Sequence, residues 1–324
     1  MMMKLFYKVV LFLLSSIFVA SSFAQSSASS KTLRIIVPFA VGGASDTYTR
    51  LVSQKMTEQS GRTVIVENKT GAGGRIAFDY VAHQPADGST AVLIDATYAM
   101  LPGLFNNLTW DINTDLIPSA FITQTPFVVL VKADSQFKTL KELVTAAKNA
   151  PNTLNYGSAG VGSTNHIVTE RFNASAGISL THVPFKGMSE ANLALQSGTI
   201  EMIIAALPTA LGGIQSGKLR PLAVSSSKRS ALLPKIPTVD EQGIGNFVTS
   251  NWFGFAFPKG TPKDQIQALH ADVNKALSDP SVREKLQQQG AEILSITTEE
   301  FVKFVQEDTK RWTDIINAKQ IKVN

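Results

Sequence analysis

Two glycine-rich segments hold the residues whose types and spacing best suit chemistry. One is Phe39-Ala40-Val41-Gly42-Gly43-Ala44-Ser45-Asp46, and the other is Tyr156-Gly157-Ser158-Ala159-Gly160-Val161-Gly162-Ser163-Thr164-Asn165-His166. Each follows a run with strand character and opens a run with helical character. A helix start exposes unpaired backbone N–H groups and the positive end of the helix dipole. Glycine lets the backbone come close to a bound oxyanion. Each segment can therefore hold a carboxylate without an Arg or Lys. Two of them, one from each half of the chain, can pinch a small anion in the crevice outside the carboxyl ends of the strands. The competing reading is two ordinary strand-to-helix turns, and the recurrence at corresponding places in two similar halves favours a ligand.

The single residues have plainer roles beside the chemical ones. Asp46 is a poor direct partner for an anion, and capping its helix is the role expected of it. Ser163 can be an N-cap alone, and His166, one turn into its helix, more often packs or hydrogen-bonds than touches a ligand. Trp252 fits a domain junction as easily as a cleft wall. A secreted hydrolase using Ser158 or Ser163 with a histidine is the reading from another class. It is disfavoured because Gly157-Ser158-Ala159-Gly160 lacks the first glycine of a nucleophile elbow and no acid partner stands nearby. Gly71-Ala72-Gly73-Gly74 is not a dinucleotide fingerprint, since Ile76 stands where the third glycine belongs, and it lacks the Lys-Ser/Thr of a P-loop. The four histidines, at 83, 166, 182 and 270, have no metal-ligand spacing. No metal or cofactor is expected, and the chain reads as a binder rather than an enzyme.

Composition sets the surroundings. Lys4 and Lys8 precede a short apolar run, Val9 to Ala20, and Ser22-Phe23-Ala24 has the small-x-small form of a cleavage site. Residues 1–24 therefore read as a cleavable signal peptide, with the exported mature chain starting at Gln25. There is no cysteine, which removes disulfides, thiolate metal sites, cysteine nucleophiles and a lipidated anchor. Without Lys4 and Lys8, 28 basic residues face 25 acidic ones, scattered rather than striped, which argues against nucleic-acid binding. About 300 residues exceed what one core usually serves, so two domains are expected.

The elements that must position the two segments follow from periodicity. Leu33 to Pro38, Thr63 to Val66 and Thr90 to Ile94 read as buried strands. Between them lie a helix capped by Ser45 or Asp46 and another over Arg75 to His83. The rhythm returns with Thr139-Leu-Lys-Glu142, a capping box opening a helix to Ala150. After it come a strand over Leu154 to Tyr156, a helix over Ser163 to Ala176 closed by Gly177, and strands over Leu180 to Val183 and Ile200 to Ile204. This alternation predicts an α/β fold with a mainly parallel sheet flanked by helices, built twice. A helix after Thr261-Pro262 and a long one capped by Thr297-x-x-Glu300 end the chain, the latter with Phe301, Phe304, Val305, Trp312, Ile315 and Ile316 inward. Phe127 to Val131 and Trp252 to Phe257 are placed to cross between the halves.

Taken together, these residues resemble a known family. Ile35-Ile36-Val37-Pro38-Phe39-x-x-Gly42-Gly43-x-x-Asp46 is similar to the opening of the substrate-binding receptors of tripartite tricarboxylate transporters, the Bug receptors. Val66-Glu67-Asn68-Lys69-Thr70-Gly71-Ala72-Gly73-Gly74, then Leu154-Asn155-Tyr156-Gly157-Ser158-Ala159-Gly160-x-Gly162-Ser163-x-x-His166, continue the likeness in order. His182-Val183-Pro184-Phe185-Lys186-Gly187, Leu232-Leu233-Pro234-x-x-Pro237-Thr238-Val239 and Pro258-x-Gly260-Thr261-Pro262 extend it over nearly all of the mature chain.

The resemblance implies a two-lobed type II periplasmic binding protein. One lobe would be residues 31–127 plus 254–324 and the other 128–253, with a small organic acid closed between them. It implies membrane transporter subunits as partners and a monomeric receptor; a sensor for a signalling partner is the alternative. Position by position, it offers Phe39, Gly43, Ala44 and Asp46 from the first segment, and Ser158, Ala159, Gly160, Gly162, Ser163 and His166 from the second. Thr97 and Tyr98 would follow the third strand, Thr125 would lie on the first crossing, and Asn251 and Trp252 would line the second. Ala205-Ala206 stands where family members commonly carry a polar or acidic pair. That removes a partner for a ligand ammonium and favours a plain mono- or dicarboxylate, aromatic acids included, with Phe39, Tyr98, Phe185 and Trp252 as apolar walls.

Overall fold

The computed structural model describes residues 32–245 and 247–323; the signal-peptide reading lies outside them. The first series runs β1 (Leu33–Val37), α1 (Ala44–Ser60), β2 (Val64–Asn68), α2 (Arg75–Ala82), β3 (Thr90–Asp95) and α3 (Ala96–Leu104). A long strand, β4 (Leu116–Lys132), leads to the second series. This is α4 (Leu140–Asn149), β5 (Asn155–Ser158), α5 (Thr164–Ala176), β6 (Thr181–Pro184), α6 (Met188–Ser197), β7 (Met202–Ala206), α7 (Leu207–Gln215) and β8 (Leu219–Val224). The chain returns along β9 (Ser250–Pro258) and ends in α8 (Lys263–Ser278), α9 (Pro280–Gln287) and α10 (Thr298–Ala318). Helices α3, α7 and α9 and strand β8 have no counterpart in the sequence reading.

The strands form one sheet in the order β2-β1-β3-β9-β4-β7-β5-β6, with β8 also on β4. β1 is parallel to both β2 and β3, and β5 is parallel to both β6 and β7. β4 serves both halves. From Leu116 to Pro126 it pairs with β9; from Phe127 onward it pairs with β7 on one edge and β8 on the other. The apolar runs at Phe127 to Val131 and Trp252 to Phe257 lie on either side of this exchange of partners.

Strand alternation assigns the faces. Leu33, Ile35 and Val37 face one apolar cluster, with α1 and α8 residues such as Val52 and Leu269, while Ile36 faces the other. In the second half Val128 and Leu130 pack under α6 and α7, and Val129 and Val131 face the opposite way. One cluster is continuous across both halves, joining Tyr156 and Phe172 to Trp252, Phe301 and Trp312. Helix α10 docks on it with Phe301, Val305, Trp312 and Ile316 buried. Its start is fixed by the expected capping box, Thr297 with Glu300.

Candidate functional site

Topology turns two sets of strand ends toward each other. β3 is antiparallel to β9, β9 to β4, and β4 to β7. The carboxyl ends of β1, β2 and β3 therefore point at those of β5, β6 and β7. Asp95, the last residue of β3, sits opposite Phe253, which sits opposite Thr123 of β4. Ala206, the last residue of β7, sits opposite Phe127. Thr123 and Phe127 are four residues apart, so the facing ends are separated by roughly 13 Å along β4.

On the first side, Gly43 is the N-cap of α1, in extended conformation, and no side chain caps the helix. The helix thus starts before Ser45 and Asp46, the expected caps. Asp46 instead occupies the first turn and reaches back to accept the Gly42 N–H at 3.0 Å. It also accepts from Arg50 Nε at 2.9 Å and Asn68 Nδ2 at 2.8 Å. Burial raises the Asp46 carboxyl, but these hydrogen bonds outweigh it and hold it below the usual carboxylate range. Its negative charge is thereby tied down beside the helix start. Among the described residues, no protein acceptor meets the N–H groups of Ala44 or Ser45. Phe39 is half-buried at the lip, and Val41, Gly42 and Gly43 are exposed.

On the second side, Ser163 caps α5 by accepting the His166 N–H. The loop glycines expected to meet the ligand are engaged with protein. Gly160 N–H donates to Ser158 Oγ at 3.1 Å, and Gly162 N–H donates to His166 Nδ1 at 3.0 Å. Ser163 N–H donates to the Gly160 carbonyl. The amides left for a ligand at this helix start are those of Thr164 and Asn165, where the dipole is also strongest. Asn165 is fixed by its side chain, which donates to the Ile204 carbonyl at 2.7 Å. Ser158 is buried, with Oγ 2.6 Å from His182 Nε2. This serine–histidine contact lacks the third member of a triad, because the nearby Glu170 is committed to Tyr156, Asn173 and Lys319.

The remaining candidates divide. Thr97 lies at the crevice, and its hydroxyl is 3.3 Å from that of Thr164, joining the starts of α3 and α5 across the two halves. The start of α3 is already occupied by Asp95, whose Oδ1 accepts from the N–H groups of Thr97 and Tyr98. Tyr98 turns its ring away, stacking on Trp110 and donating to the Ile112 carbonyl at 3.0 Å. Trp252 is enclosed and donates its indole N–H to Asp308 at 2.8 Å. The rings of Tyr98 and Trp252 are therefore core, not cleft walls. Ala205 is buried under α7, leaving Ala206 at the rim. Thr125 and Asn251 are paired across β4 and β9, with Thr125 Oγ1 3.4 Å from the Asn251 carbonyl. Phe39 and Phe185 are both half-buried, and Phe185 packs against the cluster under α6 and α7. No cluster of three or more metal-ligating side chains exists among the described residues.

The profile described as the tripartite tricarboxylate transporter family receptor matches residues 48–321. The chain belongs to this family. A protein of Pseudomonas sp. strain P51, from the tcbD–tcbE intergenic region, is 34% identical over 297 residues, 91% of this chain and 88% of the relative. BugT of Bordetella pertussis is 31% identical over 288 residues, 88% of each chain. Among solved structures, an R. palustris protein with adipate aligns at a TM-score of 0.78 and 30% identity, covering 90% of this receptor and 98% of that chain. MatC from Rhodopseudomonas palustris, with bound malate, aligns at 0.75 and 30% identity, over 88% and 98%. The periplasmic binding protein BugD aligns at 0.75 and 30% identity, over 90% and 99%. The receptor thus has the α/β periplasmic binding protein fold, in a family of solute-binding receptors rather than enzymes.

Sequence reasoning did not single out three groups at this site. Asp95 ends a strand and caps the next helix, a role its place two residues before Thr97 could have suggested. The Thr164 and Asn165 amides follow from Ser163 being the cap. His182 opened a motif of the resemblance but was given no role, because its partner Ser158 lies on a neighbouring strand.

Proposed function

We propose that this receptor is a periplasmic protein that captures a small organic acid, a mono- or dicarboxylate, and hands it to the membrane subunits of a tripartite tricarboxylate-type transporter. The observation that carries this reading is the pair of facing helix starts. α1 offers the N–H groups of Ala44 and Ser45, α5 offers those of Thr164 and Asn165, and the ionised Asp46 is compensated by its ion pair with Arg50 and its bond from Asn68. Dipoles and amides suit a carboxylate better than any neutral or cationic group. Relatives solved with adipate and malate support the same chemistry. With alanine at 205 and 206, no acidic side chain stands there for a ligand ammonium, so plain acids are favoured over amino acids. Phe39 and Phe185 accommodate an apolar or aromatic body.

Residues 31–127 with 254–324 act as one lobe and residues 128–253 as the other. Ligand closes them only through contacts it makes better in the closed form. The receptor works as a monomer without a cofactor. A thermal-shift screen of organic acids tests this reading. Carboxylates should raise the melting temperature in proportion to the logarithm of their concentration, because they bind only the folded chain. Stabilisation by amino acids or sugars, with none by any plain carboxylate, would refute it.

A further inference from the structure

Two imidazoles lie behind the second loop, and capture as described above makes no use of them. His166 comes from the first turn of α5 and His182 from β6. The β5–β6 register sets Tyr156 opposite His182. The two imidazole rings stack with centroids 3.9 Å apart and planes within 8°. Tyr156 joins the stack at 4.9 Å from His182. The bond from Gly162 N–H to His166 Nδ1, at 3.0 Å, fixes Nδ1 as the nitrogen without a proton. His182 Nε2 meets Ser158 Oγ, which accepts the Gly160 N–H. The two glycines flanking Val161 are thus held, one by a ring directly and one through Ser158. Both take left-handed backbone angles, φ 115° at Gly160 and 76° at Gly162, and the Ser163 N–H closes the turn between them on the Gly160 carbonyl.

We propose that His166 and His182 are positioning residues for ligand capture. Stacked and neutral, they hold the Gly160–Gly162 turn in the shape that presents the Thr164 and Asn165 amides. A proton on His166 Nδ1 releases that turn and weakens capture. This rests on the carboxylate reading of the site.

The charged and titratable groups around the pair are few. On α5, Glu170 accepts from Tyr156 Oη at 2.6 Å and from Asn173 Nδ2 at 3.1 Å. It is also paired at 3.1 Å with Lys319, at the end of α10. α3 contributes only Tyr98, turned away to Ile112, and β7 has no titratable side chain. Burial lowers His166, with Glu170 opposing. Burial first and the charge of His166 second push His182 down to about 4, again with Glu170 opposing. The stack is therefore neutral at neutral pH, and protonation costs it a bond. A His166 that touched the ligand directly would behave in the opposite way, since an imidazolium attracts a carboxylate.

Nuclear magnetic resonance on the ligand-free protein tests the lock itself. Between pH ~7.5 and ~4, the Gly162 amide resonance should shift with the same midpoint as the His166 ring nitrogens. His166→Asn, whose Oδ1 can accept the Gly162 N–H without titrating, should remove the shift. A Gly162 amide that stays still through the His166 titration overturns the proposal. Calorimetry with adipate and malate as probes tests the consequence. Between pH ~7.5 and ~5 the wild type should lose about fivefold more affinity than His166→Asn, a comparison that cancels the ligand's own ionisation. Affinity that rises in acid in the wild type alone would make His166 a ligand contact and end the proposal. If neither probe binds, the thermal-shift screen of organic acids decides the carboxylate reading separately, and the resonance experiment still decides the lock. It decides equally, on wild-type protein, if the variant does not fold.

Discussion

Gly43 caps α1 and Gly160 lies three residues before the cap of α5, and the two are glycine for different reasons. Gly160 has φ 115°, which strains any side chain whatever the space around it. Gly43 has φ −72° and ψ 169°, and a Cβ there would meet only the Ala40 carbonyl oxygen, at 3.7 Å. The backbone does not require glycine at 43; the free amides in front of α1 do, if they hold a ligand. Gly43→Val should leave the melting temperature nearly unchanged while lowering carboxylate affinity about tenfold or more. Unchanged affinity on calorimetry would take α1 out of the site. Gly160→Val cannot separate binding from folding in this way. Asp95 gives a second residue-scale test. It is enclosed, and burial pushes its carboxyl up to about 7 against the hydrogen bonds from Tyr98 and Thr97. The folded chain then keeps a proton that the unfolded chain releases, so this group's contribution falls as pH climbs from the usual carboxylate range through about 7. His166 and His182, both lowered by burial, act oppositely: their contribution is lost as pH falls below the usual histidine value toward about 4. Asp95→Asn keeps an N-cap acceptor and removes only the first effect. In urea melts it should gain on the wild type by on the order of 2 kcal/mol more at pH ~8 than at pH ~5. An equal difference at both would mean that Asp95 is ionised throughout.

Among elements, α10 depends most on a single group. The buried Asp308 accepts the indole N–H groups of Trp252 and Trp312, each at 2.8 Å, and pairs with Arg311 at 2.9 Å. Asp308→Ala strands two buried indole donors and should cost ~3 kcal/mol of stability, read by chemical denaturation. A cost under ~1 kcal/mol would show that water replaces the carboxylate. The helix itself was legible, because its stripe has the helical period and its capping box is local chemistry. The strands β1, β2, β3 and β5 were legible within a residue or two for the same reason. Helix α3 was not. It is apolar on nearly every side and carries Pro102 and Gly103, so no period shows. Its glycine makes sense only in the fold, where a Cβ at 103 would strike Ile316 of α10 at 2.8 Å. Helix α7 is similar, with Pro208 and a Gly212-Gly213 pair. β4 reads as a strand only from Phe127, since Pro118 and Pro126 interrupt it, although β9 pairs with it from Leu116. At the site, the loops and the cap could be read locally, but which loop amides the protein itself occupies could not. Ser158, His166 and His182 settle that question, and they meet only through the pairing of β5 with β6.

At the scale of the molecule, the two halves meet at the crossing strands, at the rim of the crevice and where α10 packs on α5. β4 and β9 cross together, with Gln124 opposite Trp252, Thr125 opposite Asn251 and Pro126 opposite Ser250. Glu292 braces the crossing by exchanging backbone hydrogen bonds with Gln124. If residues 128–253 move as a lobe, this paired stretch of β4 and β9, which can bend and twist but not part, is the pivot. At the rim, the hydroxyls of Thr97 and Thr164 meet at 3.3 Å, one from each half. If the halves swing about the strands, this contact must break each time a ligand passes, and a covalent link there should trap the closed form. The chain has no cysteine of its own, so Thr97→Cys with Thr164→Cys creates one thiol pair. Sulfur atoms in place of those oxygens need to approach by roughly 1 Å to reach disulfide distance. Oxidised without ligand, the double variant should bind a carboxylate at least about tenfold more slowly than the wild type. Oxidised with ligand inside, it should release it at least about tenfold more slowly. A reductant should restore both rates, which separates the link from the substitutions. The same pair tests the geometry of capture: equal exchange rates in oxidised and reduced protein would mean that ligand reaches the amides of α1 and α5 without the halves separating, and the crevice would then be a fixed groove rather than one that closes.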